Sequence, residues 1–227
     1  MERHILIETL KHRPLELANL PKAQDDYELV RIAVEKNGSA LQYASERLRD
    51  DCSIIIAAIK SSKSCSDIVP FISEAIFTNK EAVLKLVAVD SGILKYVCNK
   101  FKEDKDIALS AMKSTNTSWG FRFLSDSLKK DPDVLREYIY NVSDMENNAI
   151  DNPLCCIELP DVLIQDDEII DEIVYYCSNC EQCIYNEPEG IWTNEAFIAR
   201  AKEVSNYCLC YKKHNRSEWE FNDEEDI

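Results

Sequence analysis

The sequence predicts an all-α fold, an α-solenoid of stacked antiparallel helix pairs in about seven repeats of 25–28 residues. Three observations predict it. An Asp or Asn recurs at Asp26, Asp51, Asn79, Asp104, Asp131, Asp166 and Asn194, in steps of 25, 28, 25, 27, 35 and 28 residues. Each is followed by apolar residues at offsets +3, +4, +7 and +8, the spacing that lines one stripe of a helix. Gly is scarce, 4 in 227 residues, and strand-like alternation is rare.

With the Asp or Asn as position zero, the +3/+4 residues run Leu29-Val30, Ile54-Ile55, Ala82-Val83, Ile107-Ala108, Val134-Leu135, Ile169-Ile170 and Phe197-Ile198. The +7/+8 residues stay apolar except in the last copy, Ala201-Lys202. Position zero is then the helix N-cap, whose side chain accepts from free backbone N–H groups for about 1 kcal/mol. Acids at +2 (Glu28, Glu81, Asp106, Asp133, Glu168) suit the positive end of the helix dipole.

A second, shorter helix is expected before each cap. Its apolar positions −10, −8, −7 and −3 are Leu41, Tyr43, Ala44 and Leu48, then Val69, Phe71, Ile72 and Ile76, then Leu94, Tyr96, Val97 and Phe101, then Phe121, Phe123, Leu124 and Leu128. Position −6 is Ser45, Ser73, Cys98 or Ser125, small enough for a neighbouring helix to come close. The first and last copies are degraded, as terminal repeats of a stack are.

The run Asn37-Gly38-Ser39-Ala40-Leu41-Gln42-Tyr43-Ala44-Ser45-Glu46-Arg47-Leu48-Arg49-Asp50-Asp51 resembles the repeat of the domain of unknown function 4116 family. Gly38, Leu41, Tyr43, Ala44, Ser45, Leu48 and Asp51 carry the match; Leu94, Tyr96, Phe101 and Asp104 carry part of it, as do Phe123, Leu124, Ser125, Leu128 and Asp131. The likeness is closest over 25–60, extends to about 143 and is weak beyond. Similar repeats occur in amoeba-associated bacteria, some protists and large viruses, so the resemblance implies host-associated biology. It brings no catalytic residues.

Charge is uneven along the chain. The whole carries 26 Lys and Arg against 42 Asp and Glu, net −16. Residues 1–150 are close to neutral at −2, so 151–227 hold −14. Such a field repels nucleic-acid phosphates and anionic membranes and attracts a basic protein surface. The expected partner is therefore a protein, with no nucleic acid and no membrane. No phosphate-binding Gly-rich loop occurs. The N-terminal apolar run is too short for a signal peptide and no segment nears the roughly 18 apolar residues of a membrane span. A soluble protein is expected, cytoplasmic or delivered into a host cell.

The 35-residue step marks a boundary. The expected organisation is a helical repeat region at 1–143, a linker or long loop at 144–153, acidic Cys-rich helical repeats at 154–216, and an acidic, disordered tail at 217–227. Seven of the 10 cysteines follow this boundary. Cys177, Cys180, Cys183, Cys208, Cys210 and His214 form the candidate metal set, with Cys-x-x-Cys spacing suited to zinc. The competing reading takes cysteines as small packing residues, with Cys98 and Cys156 already at packing positions of the repeat.

The function expected is a non-catalytic protein-interaction or scaffold module. Its candidate contacts lie off the packing stripes, at Gln42, Arg47, Arg49, Lys100, Lys102, Arg122, Lys129 and Lys130. The alternatives are a metal- or redox-responsive protein using the C-terminal cysteines, and a host-modifying enzyme with an unrecognised site. Three His residues, two of them near the N-terminus, anchor no catalytic set; no catalytic residue and no obligatory cofactor are expected.

Overall fold

All seven predicted caps form. The structure, a computed structural model, describes residues 3–114, 120–143, 159–178 and 194–204, and among these it is helical with no strand. Asp26 accepts from Leu29 N–H, Asp51 from Ser53 and Ile54, Asn79 from Ala82, and Asp104 from Asp106 and Ile107. Asp131 accepts from Asp133 and Val134, Asp166 from Ile169, and Asn194 from Phe197. In every copy the +3 amide is bonded, because an Asx side chain in extended backbone reaches the amides two and three residues on.

Two compact units divide the chain, Met1–Ser125 and Asp126–Ile227. In the first, the long helices are α1 (Arg3–His12), α2 (Tyr27–Lys36), α4 (Cys52–Lys60), α5 (Lys80–Val87) and α7 (Lys105–Met112). One-turn helices α3 (Glu46–Arg49) and α6 (Asn99–Lys102) precede α4 and α7. Long helices pack side by side in chain order: α1 on α2, α2 on α4, α4 on α5, α5 on α7. The second unit repeats the scheme with α8 (Asp126–Lys129), α9 (Pro132–Ser143), α10 (Asp161–Ile164), α11 (Asp167–Ser178) and α12 (Glu195–Val204). There α9 packs on α11 and α11 on α12.

Burial explains why such short helices hold. Peptide helices under about 12–15 residues are marginal alone. Here the +3, +4, +7 and +8 residues of α2, α4, α5, α7, α9 and α11 are all buried. Each large apolar side chain contributes about 1.5–3 kcal/mol, against about 1 for a cap. Burial therefore supplies most of the stability, and the cap fixes where each helix starts.

The expected short helix departs from prediction. In place of one helix, the chain runs through a 3-10 turn (Gly38–Tyr43), an extended corner at Ala44 and Ser45, and then α3. The copy before Asp104 does the same with Ser91–Lys95, an extended Cys98, and α6. The corner exists because position −6 turns its amide out of the helical ladder. Ser45 N–H donates to Gln24 O at 2.7 Å and Ser125 N–H to Lys102 O at 3.0 Å, each docking on the segment before it. The small residue thus permits a backbone hydrogen bond. Cys98, expected to pack, has an exposed side chain, since the corner faces it outward.

A further slip occurs where the step lengthens to 28 residues. Ile68, fully buried, fills the place expected of Val69, which is half-buried. The 3-10 turns Gly38–Tyr43 and Ser91–Lys95 also have their own caps, which the repeat reading missed: Asn37 accepts from Ser39 N–H, and Asp90 from Gly92 N–H at 2.8 Å. Asp90 is buried and holds the buried Cys65 thiol; burial first, and then this carboxylate, push that thiol up to about 12. Cys65 is a structural donor here, poorly suited to thiolate chemistry. No described helix is long and apolar enough to cross a membrane.

Candidate functional site

The outward faces of consecutive long helices form seams, and most are closed by polar cross-links. Arg3 on α1 reaches Asp26 and Glu28 at the start of α2. Lys80 on α5 reaches Asp104 at 2.7 Å and Asp106 at 3.0 Å, at the start of α7. In the second unit, Arg136 on α9 pairs with Asp166 at 2.8 Å, the Tyr140 hydroxyl bonds Glu168 at 3.2 Å, and Arg200 on α12 pairs with Asp167 on α11. These contacts depress the carboxyl pKa of Asp26 through the Arg3 hydrogen bonds and that of Asp166 through Arg136. At Asp104 burial pushes the other way, and the Lys80 and backbone N–H hydrogen bonds outweigh it.

Between α2 and α4 the seam is open. Tyr27, Arg31 and Glu35, spaced four apart on one face of α2, form one wall. Ser53, Ile56, Ala57 and Lys60 of α4, with Ser61 at its C-terminal cap, form the other, and the cavity holds about 520 Å³. That is the size of sites that take a small ligand or a few side chains. Arg31 is turned onto its own helix, its Nε 2.8 Å from Glu35, so it spans no seam. Ser61 Oγ donates to Val34 O and closes the C-terminal end. Tyr27 is 40% exposed, one of the few large apolar side chains left to solvent. The walls combine an aromatic ring, an aliphatic floor and both charge signs. They contain no His or Cys to serve as base or nucleophile.

Residues expected from sequence to make contacts lie elsewhere. Gln42 is exposed and bonds Ser39 O, Arg47 is exposed and reaches Asp25, and Arg49 is half-buried. Lys100 and Lys130 are exposed; Lys102, Arg122 and Lys129 are half-buried, Lys129 beside Asp126. All belong to the 3-10 turns, the one-turn helices and their ends, and none lines the groove. Sequence reasoning missed Tyr27, Arg31, Ile56 and Lys60. The available signal was at +1, where Tyr27 is the single aromatic among Tyr27, Cys52, Lys80, Lys105, Pro132, Asp167 and Glu195.

Of the metal candidates, Cys177 lies on the last turns of α11. Its side chain and residues Cys180, Cys183, Cys208, Cys210 and His214 lie outside the described residues, as do the expected 144–153 linker and the 217–227 tail. Among the described residues no three His, Cys, Asp or Glu side chains converge as a metal site requires.

No curated protein and no solved structure matches the chain. The family model described as Domain of unknown function (DUF4116) matches twice, at residues 26–76 and 79–129. Each match spans two caps, Asp26 with Asp51 and Asn79 with Asp104, so the family unit is a pair of the 25–28-residue steps. The groove therefore lies between the two long helices of the first matched segment, and residues 26–76 and 79–129 are each similar to the DUF4116 model.

Proposed function

We propose that this chain is a non-catalytic protein-interaction or scaffold module, built on a solenoid of about seven stacked helical repeats. It works as a subunit of a larger assembly or as a host-associated, effector-type protein. One observation carries the reading: within each compact unit the long helices pack on one another in chain order. That packing consumes the apolar stripe and the caps, and leaves outward faces to do the binding. Stacked repeats of this kind present extended surfaces to peptides and folded partners. The acidity of residues 151–227 favours a partner with a basic surface and disfavours nucleic acid.

The test is proximity labelling of the full-length chain in its native cells, with cross-linked co-purification in parallel. A defined set of proteins enriched by both methods is the expected result. Enrichment of none over a scrambled-fusion control in either method would overturn the reading.

A further inference from the structure

The groove between α2 and α4 suggests the chemistry of its occupant. We propose that it binds a short acidic segment of a partner protein, one that sets an Asp or Glu beside an aliphatic or aromatic side chain. This rests on the interaction-module reading and assigns the partner chemistry at one place on the surface.

Charge complementarity over an apolar floor points to this occupant. At the N-terminal end of α2 the acids are matched: Asp26 and Glu28 by Arg3, Asp25 by Arg47. Towards the C-terminal ends of α2 and α4 the balance reverses. Lys60 lines the groove, Lys36 follows Glu35 in sequence, and Lys63 lies two residues past Ser61. None of these three lysines forms an ion pair among the described residues, while Arg31 and Glu35 cancel each other. Two helix C-termini contribute about −0.5 each, so the three lysines leave roughly +2 at this end. In a chain of net −16 this is a local reversal of sign. The same groove is lined by Ile56 and Ala57 and, at the N-terminal end of α2, by Tyr27, which would receive the apolar side chain.

The second repeat supplies an internal control. Tyr27 at +1 of the first helix and Ser53 at +2 of the second are replaced there by Lys80 and Asp106. These two pair at 3.0 Å across the seam. The same family unit thus occurs once with its groove open and once with an ion pair across the mouth.

The experiment selects a random-peptide display library on the full-length protein. The enriched peptides are then measured by fluorescence anisotropy on wild type, Lys60→Glu, Tyr27→Ala and the exposed control Lys95→Glu. Lys60 and Tyr27 are exposed, so the variants fold, and a thermal melt verifies it. The expected result is enrichment of Asp/Glu peptides bearing an aliphatic or aromatic residue. Their affinity should fall about tenfold or more in Lys60→Glu, where attraction becomes repulsion, and fall in Tyr27→Ala, with no change in Lys95→Glu. Enrichment of basic peptides, no enrichment, or acidic peptides indifferent to Lys60→Glu and Tyr27→Ala overturns the proposal. Cellular partners retained in full by both groove variants overturn the groove alone and leave the interaction module standing.

Discussion

The two segments that match the family model, 26–76 and 79–129, share caps, stripes and the extended corner, yet differ on their outward faces. In the first, α2 and α4 are held by buried apolar residues and a Ser61 hydrogen bond, and the seam stays open. In the second, Lys80 ties α5 to the start of α7 through Asp104 and Asp106. The interior positions are fixed by packing, where a changed methyl group is felt throughout. An exposed ion pair is worth only about 0–1 kcal/mol, so the surface can be rewritten with little loss of stability. Shared interior and divergent seam are what duplication followed by specialisation of one face would produce.

The largest expected effect tests the shared interior. Ile54 and Ile107 occupy the same +3 position and both are fully buried. Ile54→Ala and Ile107→Ala should each cost about 2–5 kcal/mol in urea unfolding, and by similar amounts. A several-fold difference would break the equivalence of the two units.

Next comes the close contact at −13, Gly38 in the first unit and Ser91 in the second. A Cβ on Gly38 would stand 2.1 Å from Ser62 Oγ and 2.2 Å from the backbone oxygen of Ala58. In the second unit the glycine is on the other side of the contact, with Gly120 against Ser91. Gly38→Ser should therefore destabilise by about 1–3 kcal/mol, although Ser is the residue its counterpart uses. Calorimetry showing an unchanged melting temperature would contradict the contact.

Smaller again are the caps. Asp51→Ala should cost about 0.5–2 kcal/mol, and Asp104→Ala somewhat more, because it also strips Lys80 of a partner. The pH dependence follows from the sign of the shift. The Asp104 carboxyl lies below its ordinary value in the folded protein. Its contribution is therefore complete above the unfolded pKa, about 3.9, and lost as pH falls through the lower folded value. The stability gap between wild type and Asp104→Ala should close in acid, below about pH 4. A gap unchanged down to pH 2, measured by urea titration, would rule out the ionised cap.

The smallest effect on stability belongs to the transplant Tyr27→Lys with Ser53→Asp, which writes the second unit's bridge into the first. It should change stability by no more than about 1 kcal/mol and abolish peptide binding in the groove. Retained affinity would show that the seam's opening is irrelevant to binding.

Legibility followed the range of the interactions. The caps and stripes could be read residue by residue, since an Asx side chain and the amides it serves lie within three residues of each other. The short helix was misread because its pattern, Leu41 to Leu48, is helical in spacing, while the corner at Ser45 is imposed by Gln24 in the preceding repeat. Val69 was placed ahead of Ile68 because the longer step shifts register inside the turn, and only packing selects which residue is buried. The contact residues expected on the short-helix side are polar residues off the stripes. Arg31, Ile56 and Lys60 carry no mark in the sequence, because they look like ordinary positions off the buried stripes of their own helices.

The sequence by itself determined where each long helix begins, which face it buries, and that the chain is helical throughout its described length. Those properties depend on local hydrogen bonding and a 3.6-residue period, both written in neighbouring residues. Tertiary structure alone decided which seams carry ion pairs and that the α2–α4 seam is open, that Ser45 and Ser125 dock on the segment before them, and that Cys65 meets Asp90. Each of these joins residues about 20–30 positions apart, on helices whose relative placement is set by how their side chains interdigitate.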